Sequence, residues 1–209
     1  MATLLYVTCN VRPQDISRTL SLGNEFLEEY LRRNPQDEVQ VLDLYRDSIQ
    51  RVDLDVLNVW WRIERGEDYG FLSDGERNKI ARLFRLADQF RRCEKYVFVT
   101  CSLNLWFPAE FKMYIDAIGI PDPTNNMTPL AAKSMFPDQR KKSLHVHACS
   151  PHNVVQEQEL SIAYLRSVLS FLGVADHETV LLEGDDQERA SEGDHEKARC
   201  RLLELARSF

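Results

Sequence analysis

Residues Glu94–Asp116, EKYVFVTCSLNLWFPAEFKMYID, hold the three parts from which the fold can be read. Tyr96 to Thr100 is an unbroken run of β-branched and aromatic residues, which suits a strand covered on both faces and therefore a parallel sheet. Pro108 fits the first turn of a helix, where its missing backbone donor would find no partner in any case. Between them, Cys101 to Phe107 mixes polar and aromatic residues in a loop. It lies at the carboxyl end of the strand, where open α/β sheets bind ligands.

The same alternation continues on both sides. Thr3 to Cys9 (TLLYVTC) is another continuous apolar run, Asn10 to Ile16 a loop containing Pro13, and Ser17 to Arg33 a helix with Leu20, Leu27, Tyr30 and Leu31 near helical spacing. Asn34-Pro35 stops that helix, and Glu38 to Leu44 alternates as a strand, so a right-handed crossover into a parallel sheet is expected. Asp53 to Gly66 predicts a helix carrying Trp60 and Trp61. Ser73-Asp74-Gly75-Glu76 has the spacing of a capping box, ahead of a helix over Glu76 to Arg92 with Ile80, Leu83, Phe84, Ala87 and Phe90 on one face. Ser143 to Cys149 predicts a strand, Val154 to Leu172 a helix closed by Gly173, Glu178 to Leu182 the last strand and Ser191 to Ser208 the last helix. Residues 119–140 hold four of the eight prolines with little periodicity, which predicts an active-site wall or a partner-contacting segment. Five strands alternating with about five helices imply one domain over residues 1–209: a three-layer α/β sandwich on a five-stranded parallel sheet of order 2-1-3-4-5.

Composition narrows the function. A formal charge of −7 over 209 residues lacks the basic footprint needed for nucleic acid or an acidic membrane. No apolar run approaches the roughly 20 residues of a membrane-spanning helix, and the chain opens on a strand pattern rather than a signal peptide, so a cytosolic protein is expected. The five cysteines (Cys9, Cys93, Cys101, Cys149, Cys200) are widely spaced, as reduced thiols would be.

Several groups could carry chemistry. Ser17-Arg18-Thr19 sits where the first loop turns into the first helix; two hydroxyls, an arginine and the unpaired donors of a helix start could cradle a monophosphate, or could simply cap the helix. The absence of G-x-G-x-x-G and of a P-loop argues against a dinucleotide on a Rossmann turn or a nucleoside triphosphate. Cys101, Ser102, Leu103, Asn104, Leu105 and Trp106 could lie along a flat ring, with Asn104 fixing its polar edge, or could pack on their own helix. His145 and His147 share one face of a strand, as buried structural histidines do. His152, in the loop Ser150-Pro151-His152-Asn153, is better placed to touch a ligand. Cys9, Cys101 and Cys149 lie near the ends of adjacent strands, so with His147 or His152 they form a candidate zinc or redox cluster, or are small hydrophobes. The acidic run from Asp185 to Glu196 reads as a solvated face.

Taken together, the chain resembles the FMN-dependent NADH:quinone oxidoreductases, or azoreductases, which are flavodoxin-like homodimers. The resemblance rests on the Ser17-Arg18-Thr19 turn leading to Glu25-Phe26-Leu27, on Asp88-Gln89-Phe90 and Lys95 to Val99, on Asn104-Leu105 with Phe107-Pro108, Lys112, Tyr114 and Ile115-Asp116, and on Phe171 to Val174 with Glu183-Gly184. Cys101-Ser102-Leu103 stands where the family has P-M-W/Y before the asparagine, and Ala148-Cys149-Ser150-Pro151 where it has a serine and two glycines. The resemblance implies FMN as cofactor, with Ser17, Arg18 and Thr19 on its phosphate, Ser102, Leu103, Asn104 and Leu105 along the isoalloxazine, and Cys149, Ser150, Pro151 and His152 at its pyrimidine edge. It further implies NADH or NADPH as donor, a quinone or azo compound as acceptor in a ping-pong order, and His152 as a proton donor to the reduced acceptor. The alternative it leaves is a flavodoxin-like dimer that has lost the flavin and serves as a binding or regulatory protein. An interface or pocket wall would draw on Trp60, Trp61, Trp106 and Phe107.

Overall fold

The structure, a computed structural model, describes residues 1–120, 141–149, 160–184 and 192–209. Strands β1 (Thr3–Cys9), β2 (Glu38–Asp43), β3 (Lys95–Cys101), β4 (Lys142–Cys149) and β5 (Asp176–Glu183) form one sheet in the order β2-β1-β3-β4-β5. All four pairings are parallel, as expected for continuous apolar strands that must be covered on both faces. The last strand is longer than Glu178 to Leu182 because β4 pairs with it along its whole length, from Lys142↔Asp176 to Cys149↔Glu183.

Two helices cover one face. Helix α1 (Arg18–Arg33) sends Leu20, Leu22, Phe26 and Tyr30 into a core that includes Leu4, Tyr6, Val97, Val99, Leu144 and Val146. Gly23 allows α1 to sit this close, since a Cβ there would meet the Tyr6 hydroxyl at 2.5 Å and Val99 Cγ2 at 2.7 Å. Helix α6 (Glu192–Ser208) completes this face with Ala198, Leu202, Leu205 and Ala206.

On the opposite face, α3 (Asp74–Arg92), α4 (Ala109–Ile118) and α5 (Ser161–Phe171) bury Phe90, Phe111, Tyr114, Ile115, Leu165 and Leu169 against Leu5, Val7, Tyr96 and Phe98. Helix α2 (Leu54–Glu64) packs outside these through Val56 and Val59 against Ile80 and Leu83. The capping box forms as expected: the Ser73 hydroxyl accepts from the Glu76 N–H while the Glu76 carboxylate accepts from the Ser73 N–H, and the helix begins two residues before Glu76. Leu160 precedes α5 as its N-cap, whereas the expected start at Val154 lies outside the described residues, as does the proline-rich stretch beyond Ile120. Gly173, at φ +84°, closes α5. Among the described residues no helix is long and apolar enough to cross a membrane.

Candidate functional site

At the start of α1, the two hydroxyls of Ser17-Arg18-Thr19 differ in their hydrogen bonding. Ser17 is the cap: its buried Oγ accepts from the Leu20 N–H at 3.3 Å and from Asn10 Nδ2 at 2.9 Å, while Asn10 Oδ1 accepts from the Arg12 N–H at 2.9 Å. Asn10 thus pins the β1–α1 loop from the end of the strand; it was missed in the sequence, where an asparagine directly after an apolar run gave the only signal. Thr19 is equally buried, but its hydroxyl has no hydrogen-bond partner. A buried hydroxyl left in this way costs about 1–3 kcal/mol. The first turn of α1 contains no acidic residue, unlike those of α2, α3 and α4, which carry Asp55, Asp74 and Glu76, and Glu110. Partial positive charge from the helix start, the open Thr19 hydroxyl and Arg18 therefore stand together. Leu182, Glu183 and Gly184 from the end of β5 and Asp194 and His195 from α6 line the same cleft.

At the end of β3 the chain turns back on itself. The Leu103 N–H donates to the Trp106 carbonyl at 2.6 Å and the Trp106 N–H to the Leu103 carbonyl at 3.2 Å, closing a two-residue turn on Asn104 (φ 53°) and Leu105 (φ 65°). Positive φ at both central residues is the geometry of a type I′ turn. Asparagine tolerates it, but for leucine it costs about 1–2 kcal/mol. The turn holds Leu103 and Leu105 out in solvent, 54% and 43% exposed. Ser102 anchors its base through its N–H to the Ala148 carbonyl at 2.7 Å, yet the buried Ser102 hydroxyl has no partner. Trp106 packs on Tyr164 of α5 with ring centroids 5.1 Å apart, and Phe107 is buried against Phe111. Phe107 thus packs on the helix that follows the loop, whereas Trp106 packs on α5 rather than on its own helix, and Leu103 to Leu105 are exposed.

His145 and His147 share one face of β4 and are buried. Burial, and secondarily the neighbouring His147, hold the His145 imidazole well below its usual range. Of the candidate thiol cluster, Cys9 and Cys101 face opposite sides of the sheet. Cys9 lies in the core beneath α3, α4 and α5, whereas Cys101 packs against the core beneath α1 and α6, with its thiol 3.9 Å from the Cys9 carbonyl. Burial, reinforced by Cys101 and Glu110, pushes the Cys9 thiol far up. Among the described residues no group of three His, Cys, Asp or Glu side chains could hold a metal ion. Cys149 is buried at the end of β4; Ser150, Pro151 and His152 lie outside the described residues.

Among the described residues, two of the three unpartnered buried hydroxyls, those of Thr19 and Ser102, stand at the carboxyl edge of the sheet, beyond β1 and β3; the third, Tyr114, lies in the core. A family model described as a flavodoxin-like fold matches residues 2–205. A protein of Geotalea uraniireducens named FMN-dependent NADH:quinone oxidoreductase is 47% identical over 186 residues, 89% of each chain. The chain belongs to the FMN-dependent NADH:quinone oxidoreductase family. A protein of the same name from Staphylococcus aureus is 35% identical over 90% of this chain and 89% of its own. Among solved structures, an azoreductase from Bacillus anthracis superimposes over the full length of both chains with a TM-score of 0.84 at 28% identity. The family match spans Thr19, Ser102 and the Asn104-Leu105 turn alike. The donors present suit an FMN of this family: an open hydroxyl on an acid-free helix start for a phosphate, and a second open hydroxyl beside an apolar turn for a ring.

Proposed function

We propose that the protein is an FMN-dependent oxidoreductase that takes reducing equivalents from NADH or NADPH and delivers them to quinones or azo compounds in a ping-pong order. The observation that carries this reading is the buried, unpartnered Thr19 hydroxyl on a helix start without acidic residues, in a chain of this family. FMN, when bound, supplies the hydride chemistry, and the protein supplies binding and electrostatics. Arg18 and Thr19 hold the phosphate, and Ser17 shapes their turn through its bonds to Leu20 and Asn10. Ser102 offers a hydroxyl to the polar side of the ring, Leu103 and Leu105 exclude water from its flank, and Asn104 sets the turn that presents them. Cys149, Ser150 and Pro151 form the pyrimidine side, and His152 protonates the reduced acceptor. The protein acts as a homodimer, for which Leu54, Leu57 and Trp61 on the exposed flank of α2 offer apolar surface.

The test is direct. Protein incubated with FMN and desalted should retain a visible flavin spectrum, bleach on anaerobic addition of NADH and recover its colour when a naphthoquinone is added. Protein that emerges colourless, and oxidises no NADH with quinone present, would overturn the reading and favour the flavin-free binding protein instead.

A further inference from the structure

Thr100 is the last residue but one of β3 and pairs in register with His147 of β4. Its buried hydroxyl lies 2.8 Å from His145 Nε2 and 2.7 Å from His147 Nδ1, and the far side of His147, Nε2, lies 3.2 Å from the hydroxyl of Ser161, the first residue of α5. Four side chains from three elements thus form one hydrogen-bonded chain. A hydroxyl has one proton and can accept twice, but the two imidazoles are the partners of the Thr100 hydroxyl among the described residues, so its proton goes to one ring and its oxygen accepts from the other. If each ring carries one proton, two arrangements satisfy the chain. If His145 Nε2–H donates to Thr100, then Thr100 donates to bare His147 Nδ1 and His147 Nε2–H donates to Ser161. If the order reverses, both rings carry their proton on Nδ1. In either case the two histidines have the same tautomer, and every bond in the chain points the same way.

Phe107 seals this chain, with its ring 5.6 Å from His145 and 5.7 Å from His147 between centroids. Ser102, bonded to Ala148, follows two residues after Thr100. We infer that the chain His145–Thr100–His147–Ser161 locks the carboxyl end of β3 to β4 and α5, and that Thr100 and His147 are positioning residues for the FMN-binding segment Ser102 to Leu105. Buried hydrogen-bonded networks of this kind fix geometry more than they add stability. The inference rests on the FMN reading above, and its test separates the two.

The measurement is the dissociation constant of FMN, from quenching of flavin fluorescence, for the wild type, Thr100→Val, Thr100→Ser and Ser161→Ala, with thermal unfolding of each apoprotein alongside. Val keeps the shape of Thr and removes the hydroxyl, so Thr100→Val should weaken FMN binding about tenfold, and Thr100→Ser should restore it. Ser161→Ala breaks the far end of the chain and should weaken binding in the same direction, which keeps the test open if Thr100→Val does not fold. Nitrogen-15 spectra of the apoprotein should show His145 and His147 in one shared tautomer. Variants that melt earlier yet bind FMN as tightly as the wild type would overturn the positioning role, and unlike tautomers would overturn the chain itself. A wild type that binds no FMN would instead sink the functional reading, and the shared or unlike tautomers would then decide whether the chain exists.

Discussion

The two edges of the sheet are built to opposite rules. At the amino edge, the buried ammonium of Lys141 donates to the carbonyls of Arg91 and Cys93 at 2.7 and 2.8 Å, where α3 ends, and to the Tyr96 hydroxyl at 2.8 Å. That hydroxyl has its one proton within reach of two acceptors, the Cys93 carbonyl at 2.6 Å and the Phe90 carbonyl at 2.9 Å. Beside it, Asp37 accepts from the Tyr30 hydroxyl at 2.5 Å, the Ala2 N–H at 2.7 Å and Lys95 at 3.2 Å. At the carboxyl edge the Thr19 and Ser102 hydroxyls are open, and Leu105 sits in a left-handed conformation. Unspent hydrogen-bonding capacity and backbone strain thus stand where a ligand can use them, while the opposite edge spends its polar groups on holding helix ends and strands together. The difference suggests that stability and binding can be changed independently in this protein.

The sharpest way to break that contrast is Lys141→Met. It takes the Lys141 donor from the Arg91 carbonyl and one of two donors from the Cys93 carbonyl, and removes the charge-assisted bond to the Tyr96 hydroxyl, so urea unfolding should show a loss of about 3 kcal/mol, with the FMN affinity of the folded protein unchanged. A parallel drop in affinity would mean that the edges are coupled. Next comes Asp37→Asn, with an expected loss of about 2 kcal/mol for leaving Lys95 and Tyr30 without their acceptor. Burial opposes the charge on Asp37, but the bonds from Tyr30, Ala2 and Lys95 outweigh it and hold the carboxyl at about 2, against an ordinary 3.8. Because the folded value is the lower one, the stabilisation is complete above the ordinary value and is lost as pH falls through about 2. Wild-type unfolding free energies should therefore fall through that acid window, and those of Asp37→Asn should lack this component.

At the other edge the sign should reverse. Thr19→Val removes an orphaned polar atom, so the apoprotein should be as stable as the wild type or more stable by about 1 kcal/mol, while FMN binds about tenfold more weakly. A destabilised variant would show that the hydroxyl has a partner in solution. The smallest effect is expected at Tyr114, whose hydroxyl is orphaned in the core between α4 and the sheet rather than at the edge. Tyr114→Phe should gain up to about 1 kcal/mol and leave FMN titrations unaltered.

The contrast also marks where the sequence could be read. Continuous apolar runs at Thr3 to Cys9, Tyr96 to Thr100 and Ser143 to Cys149 have few physical outcomes other than central parallel strands, and the strand order followed. The Ser73–Glu76 capping box is local, so spacing alone sufficed. Period-2 geometry placed His145 and His147 on one face, but the partner that joins them, Thr100, depends on the register between β3 and β4. Ser17 and Thr19 were indistinguishable as hydroxyls until the loop folded Asn10 onto Ser17 and left Thr19 open. The turn at Asn104-Leu105 lacks the glycine that normally announces positive φ. Lys141, inside the basic run Arg140-Lys141-Lys142, has no local sequence signal showing that α3 ends against it.

The sheet order has a consequence in time. β1 lies between β2 and β3, and its pairing with β3 joins Leu5 to Tyr96, two residues nearly half the chain apart in sequence. Such distant partners make the chain-closure step slow, and the carboxyl edge cannot exist until it has been completed. A ligand seated there meets only molecules that have already folded. Its concentration should therefore leave the refolding rate untouched and lengthen the life of the native state instead, so that occupancy is recorded in how slowly the protein comes apart.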